Sequence, residues 1–207
     1  MFIKNILNNH FKSHGYLAEG RLKNAKGQIL DIAAMPAILR TLLVTDGTVT
    51  KTLEAYFWEP VSVVSLDQHE VKAAKPIEFL DCLQGDPLLD RQIRLVGQST
   101  KKVYAYAHSF IRLDMLPPTI CSDLKAGLIG IGEILRESGL ETYRELVDLG
   151  KETSEEADKT ISKSNSNESL PKDEHIIYRT YRIMINHKPV ILVTERFPYS
   201  IYSSQAC

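Results

Sequence analysis

The spacing of hydrophobic and polar positions changes several times along the chain, and each change predicts an element. The first forty residues read as partly helical, with a strand-like Gln28–Ile32 among them. Pro36 suits a helix's first turn, where its missing N–H is not needed, and Ala37–Val44 reads as a short helix. Thr45-Asp46-Gly47 is a turn. Val49, Leu53 and Tyr56/Phe57 then recur at helical spacing, so a second helix runs from about Val49 to Phe57, with Thr48 placed to cap it. Beyond Pro60 the period falls to two, and Val61, Val63 and Ser65 begin a strand. Asp67 to Asp86 reads as a polar crossing. Leu89–Val96 and Val103–Leu113, joined by a Gly97–Lys102 turn, form a hairpin. Pro117-Pro118 interrupts the pattern, and a helix containing Ile131, Ile134 and Leu135 follows, ended by Gly139. Glu141–Leu149 reads as extended or helical. Ile176–Ile185 and Pro189–Phe197 are strands joined by a tight turn at Asn186-His187-Lys188.

Lys151–His175 breaks this order. Glu152, Ser154, Glu155 and Glu156 lead into Ser162, Ser164, Asn165, Ser166, Asn167 and Ser169, with very few apolar side chains. Such a segment buries too little surface to offset its ordering entropy, and reads as a flexible polar insertion at about residues 151–175. Mostly antiparallel strands with helices grouped on one side predict an α+β fold, a single domain over residues 1–207.

Composition narrows the function classes. A chain of 207 residues, 43% of them hydrophobic, suffices for one packed core. Its 25 basic and 26 acidic side chains give a formal net charge of -1. That balance argues against nucleic acid or a membrane surface as partner, yet leaves room for a small anionic ligand. Cys82, Cys121 and Cys207 are widely spaced, with no CxxC and no Cys/His cluster. Neither a metal site nor a disulfide framework is indicated, and a reducing, cytoplasmic setting is expected. Met1–Tyr16 lacks the apolar core of a signal peptide, and no later run is long enough to span a bilayer.

The informative chemistry lies in two charges on apolar strand faces. In Asp90-Arg91-Gln92-Ile93-Arg94-Leu95, alternation puts Arg91 with Ile93 and Leu95. In Val190–Phe197, Glu195 shares a face with Ile191, Val193 and Phe197. A charge buried among hydrocarbons costs several kcal/mol unless it is paired, hydrogen-bonded or neutralised. The two residues could pair with each other, or reach solvent at a strand end. They could also line a ligand cavity, in which Arg91 holds an anion and Glu195 binds or protonates a hydroxyl or ether. Two helix starts, at Thr48-Val49-Thr50 and near Gly130-Ile131-Gly132, would add unpaired N–H groups suited to a carboxylate.

Further residues repeat a known order. Thr45-Asp46-Gly47-Thr48-Val49-Thr50 with Leu53-Glu54 comes first, then Asp90-Arg91-Gln92-Ile93-Arg94-Leu95. Ala107-His108-Ser109 with Leu113 and Leu116-Pro117 follows, then Gly130-Ile131-Gly132 with Leu135. Lys188-Pro189-Val190 with Thr194-Glu195-Arg196-Phe197-Pro198 closes the series. In this order the motifs resemble the chorismate lyases, above all the branch found in cyanobacteria, plastids, archaea and mycobacteria. The resemblance runs from about Ile38 to Tyr202 outside the polar insertion. It rests on the ordered set rather than on any single motif.

The resemblance implies an enzyme that removes pyruvate from chorismate and leaves 4-hydroxybenzoate, without cofactor or metal. It also implies an antiparallel sheet with helices closing one side over a buried site. By the same resemblance, Arg91 and the backbone N–H groups of Val49 and Ile131 would hold the ring carboxylate. Glu195 would meet the oxygen at the breaking ether. Arg94 and Arg196 alternate outward, whereas Arg40, Arg179 and Arg182 stand as unranked candidates for a second carboxylate. His108 reads as a satisfied sheet histidine, and Asp46 as the group that fixes the turn before Thr48. Two alternatives accompany the lyase: a non-catalytic, sensor-like domain of the same fold that binds a small aromatic acid, and a related enzyme making another hydroxybenzoate.

Overall fold

A computed structural model describes residues 21–24, 26–161 and 174–203. The expectations for the first twenty residues, for Cys207 and for residues 162–173 of the polar insertion lie outside those residues.

The helical periodicity carries over directly. Helix α1 (Ala37–Val44) follows Pro36, and α2 (Val49–Phe57) follows Thr48. Leu39, Leu42 and Leu43 of α1, and Val49 and Leu53 of α2, are the buried stripes that their spacing predicts. Thr48 stands at the N-cap but makes no side-chain cap bond. The preceding turn is fixed by the Thr45 hydroxyl, which accepts the Gly47 N–H at 3.1 Å. That role had been expected of the Asp46 carboxylate.

A short hairpin, β1 (Arg21–Lys23) and β2 (Ile29–Asp31), forms its own two-stranded sheet. The main sheet contains β3 (Val61–Lys72), β4 (Pro87–Gly97), β5 (Val103–Ile111), β6 (Thr142–Thr153), β7 (His175–Ile185) and β8 (Lys188–Pro198). Its order is β3-β4-β5-β8-β7-β6, with every pair antiparallel. With helices α3 (Pro118–Ala126) and α4 (Ile131–Glu137), this is the expected α+β architecture. The β7–β8 hairpin turns on Asn186 and His187, both at positive φ (49° and 62°). Such a two-residue loop matches the twist of the strands it joins.

Three expectations are corrected. The polar crossing from Asp67 is strand as far as Lys72: a bulge between Ser65 and Asp67 resets the register, and this is the sheet's edge, where polar side chains face water. Helix α3 was not anticipated; Pro118 opens it rather than breaking the chain, and it buries Ile120 and Leu124. The polar insertion also begins later than residue 151. Lys151–Thr153 complete β6, and Ser154–Asp158 form helix α5, begun by a capping box between Thr153 and Glu156.

Two apolar clusters lie along the face of the sheet under α1–α4. One joins α1 and α2 to Leu95, Ala105 and Phe197. The other joins α3 and α4 to Ile111, Ile183, Ile191 and Val193. Ala107 and Leu146 touch both, so the clusters meet at mid-sheet. Ala157 of α5 instead packs with Ile176 and Tyr106 on the opposite face, so the expected grouping of all helices on one side does not hold. Among the described residues, no helix is long and apolar enough to cross a membrane.

Candidate active site

A cavity opens where the two clusters meet, with an empty volume of about 520 Å³, mouth included. Its floor is low because the middle of β5 carries small side chains, Ala107 and Ser109, between the larger residues of β4 and β8. Its roof is the pair of helix starts: Thr48, Val49 and Thr50 at α2, and Gly130, Ile131 and Gly132 at α4. First-turn amides have no acceptor within their own helix, so both starts direct N–H groups and positive dipole ends to this region.

Arg91, Glu195, Val49 and Ile131 all line this cavity. Register explains the first two. Arg91 lies opposite Ser109, and Ser109 opposite Val193, while Glu195 stands two residues further along β8. The two residues are thus separated by two strand spacings and one pleat repeat, about 10 Å across the sheet and about 7 Å along it. They face one hollow without pairing.

Arg91 is 1% exposed. Its Nη2 donates to the Ile129 carbonyl at 2.8 Å and, at a longer 3.4 Å, to that of Gly127. Its Nε is buried without a hydrogen-bond partner. Burial lowers the guanidinium pKa to about 10, which still leaves it charged near neutral pH. Among the described residues no carboxylate forms an ion pair with it. An arginine in this condition is poised to take an anion.

Glu195 has a different partner from the one alternation suggested. Arg179 stands opposite it on β7, and Arg179 Nε donates to Glu195 Oε2 at 2.7 Å. The Tyr181 hydroxyl donates to Oε1 at 3.0 Å. Both oxygens are therefore held as acceptors, and Arg179 Nη1 binds the Thr45 carbonyl at 2.9 Å, tying the carboxylate to the turn before α2. Burial, reinforced by Glu195, pushes the Tyr181 hydroxyl well above its ordinary pKa, so it stays a donor. Residues 177, 179, 181 and 183 alternate inward just as 91, 93 and 95 do. The sign that singled out Arg91 thus also marks Arg179, previously unranked. Tyr181 and Arg144, both in the cavity wall, were missed.

The other candidates serve structure. Arg196 does leave the cavity face, yet it is buried rather than solvated, pairing with Glu152 at 2.6 Å. Arg182 pairs with Glu145 at 2.8 Å, and Arg40 donates to the Met35 carbonyl at 2.7 Å. His108 meets Asp90 at 2.7 Å away from the cavity, as expected of a satisfied sheet histidine. Among the described residues, no cluster of His, Cys, Asp and Glu could hold a metal ion.

Residues 43–205 match the family model described as Rv2949c-like, chorismate pyruvate-lyase Rv2949c-like. The chain is 33% identical over 174 residues to a chorismate pyruvate-lyase of Mycobacterium leprae, covering 83% of this chain and 79% of that protein. It is 30% identical over 161 residues to a putative lyase of Methanocaldococcus jannaschii, covering 76% of each. Among solved structures it is similar to a GntR-family transcriptional regulator from Bacillus cereus, at 14% identity and a TM-score of 0.49. That likeness covers 68% of this chain and 92% of the other.

Proposed function

The chain belongs to the Rv2949c-like chorismate pyruvate-lyase family, and on that premise we propose that it eliminates pyruvate from chorismate and leaves 4-hydroxybenzoate in the cavity between β5 and the two helix starts. The observation that carries this reading is the charged, buried Arg91, without a carboxylate partner among the described residues, in the same hollow as Glu195.

The chemistry asks little of a protein. Chorismate is a dianion with one carboxylate on ring carbon C1 and another on the enolpyruvyl ether at C3, next to the hydroxyl at C4. The C3–O bond breaks, its electron pair leaves with the enolpyruvate oxygen, and a proton leaves C4. The ring becomes aromatic, the C4 hydroxyl becomes the phenol, and enolpyruvate takes up a proton to give pyruvate. The reaction is redox-neutral, and aromatisation supplies much of its driving force. The site has to orient the dianion and stabilise charge on the departing oxygen.

Arg91 takes the ring carboxylate, joined by the backbone N–H groups of Val49 and Ile131. Glu195 lies at the opposite edge of the ring, where ether and hydroxyl are neighbours. Held as an acceptor by Arg179 and Tyr181, it binds the C4 hydroxyl and, as the base, accepts the proton lost from C4. The ligands are small molecules: chorismate, 4-hydroxybenzoate and pyruvate. We place the reaction in the cytoplasm; the free thiols of Cys82 and Cys121 suit a reducing compartment.

Purified protein given chorismate is expected to release pyruvate and 4-hydroxybenzoate in equal amounts, unaffected by a chelator. Tight binding of 4-hydroxybenzoate with no product formed would sink the lyase and favour a sensor.

A further inference from the structure

We propose that Arg144 is a second anion-binding residue of the cavity, and that it holds the carboxylate of the enolpyruvyl arm while Arg91 holds that of the ring. The assignment rests on the lyase reading above. It starts from a count of charges. The charged side chains lining the cavity are Arg91, Arg144 and Glu195, and Arg179 stands directly behind Glu195. Arg179 and Glu195 neutralise each other, which leaves two cations. A cavity wall with two arginines that no described carboxylate pairs with matches a ligand with two carboxylates better than a ligand with one.

Arg144 lies on β6 opposite Ile183, on the same inward face as Tyr181. Its guanidinium carbon is 6.0 Å from the centre of the Tyr181 ring. Nη1 donates to the backbone carbonyl of Asp46. Nη2 comes within 3.3 Å of the point where a Cβ on Gly132 would stand, so the guanidinium sits beside the start of α4. Nε is buried without a hydrogen-bond partner. Three other arginines of the sheet, Arg179, Arg182 and Arg196, each pair with a carboxylate within 2.8 Å. No described carboxylate pairs with Arg144. It is half-buried at the mouth, so the arm of a substrate can reach it while the ring lies deeper, toward Arg91.

The two products separate the roles, because 4-hydroxybenzoate keeps the ring carboxylate and lacks the other. Arg144→Met retains the length and apolar stem of the side chain and removes its charge. In this variant KM for chorismate is expected to rise about 10- to 100-fold, the worth of one charge-assisted contact. The Kd for 4-hydroxybenzoate, measured by calorimetry, should stay within about twofold of wild type, and Arg144→Lys should recover part of the KM. A parallel loss of 4-hydroxybenzoate affinity would mean that Arg144 only braces the Asp46 turn, and would overturn the proposal, as would an unchanged KM. Wild-type protein that released no pyruvate would remove the lyase reading by itself. Calorimetric titration of wild type and Arg144→Met with chorismate and with 4-hydroxybenzoate would then still decide for or against Arg144 as the second anion site.

Discussion

Arg179 and Glu195 face each other directly across the β7–β8 ladder, their side chains 3% and 9% exposed and joined at 2.7 Å. This pair governs what the rest of the cavity can do. It gives Glu195 the partner a buried carboxylate requires, and so releases Arg91, two strands away, from the need to supply one. A buried ion pair seldom adds net stability, but breaking one strands a charge. Arg179→Met is therefore expected to destabilise the protein by about 3–5 kcal/mol. Adding Glu195→Gln to that variant should restore much of the loss. Urea unfolding of the two single variants and the double variant measures the coupling, and simple additivity would show that the pair carries none.

Glu195→Gln keeps an acceptor for Tyr181 and removes the base. Turnover should fall by about 10²- to 10⁴-fold, the range for a positioned acid–base group. The variant should still bind 4-hydroxybenzoate, whose carboxylate lies at the Arg91 end. A kcat equal to wild type would take Glu195 out of the chemistry.

Arg91 should show the opposite balance of function and stability. Burial lowers its pKa from the ordinary guanidinium range to about 10, so folding disfavours its charged form. This cost is present in full at neutral pH and is relieved only as pH rises through about 10 and beyond. Arg91→Met removes the cost together with the carbonyl contacts to Ile129 and Gly127. The ligand-free variant is expected to melt at or above the wild-type temperature. Saturating 4-hydroxybenzoate should raise the wild-type Tm and leave that of Arg91→Met unchanged. An equal ligand-induced shift in both proteins would refute the anion role.

Much of this was legible in the sequence where a simple period operates. Alternation alone put Arg91 and Glu195 on the cavity-side face, Pro36 marked the start of α1, and helical spacing located α2. Polar edges hid more. The second half of β3 carries Gln68, His69 and Glu70 because an edge strand can face water, and a two-residue period of apolar positions does not survive there. In β6 a bulge between Leu146 and Asp148 shifts the alternation, which concealed Arg144 on the cavity face. The pairing of Glu195 with Arg179 depends on strand order, and alternation within single strands does not reveal which strands are neighbours.

Acid sensitivity should arise away from the cavity. The Glu59 carboxylate accepts bonds from the Tyr104 hydroxyl, from the Thr100 hydroxyl and from the Ser99 and Thr100 N–H groups. These bonds, led by Tyr104, lower its pKa from 4.5 to about 2. A depressed carboxylate pKa contributes stability that is fully present above about 4.5 and is lost as pH falls toward 2. Glu59→Gln should therefore lower the urea midpoint at pH 6, and the gap from wild type should narrow by pH 3. A gap independent of pH would assign the effect to lost packing.

Gly132 gives the last prediction, because it stands where the roof of the cavity closes. A Cβ there would meet the Thr48 hydroxyl oxygen at 3.2 Å and Arg144 Nη2 at 3.3 Å. At Gly130 the nearest atom would be 3.8 Å away, an ordinary contact. Alanine favours the first turn of α4 by up to about 1 kcal/mol over glycine, and this offsets part of the crowding. Gly132→Ala is thus expected to change stability by no more than about 1 kcal/mol while raising KM for chorismate about fivefold or more, by displacing Arg144 and the start of α2. Gly130→Ala should raise KM several-fold less. Equal responses at the two positions would mean that the close approach of α4 to Thr48 and Arg144 has no part in binding, and that glycine at 132 serves only the packing of the two helix starts.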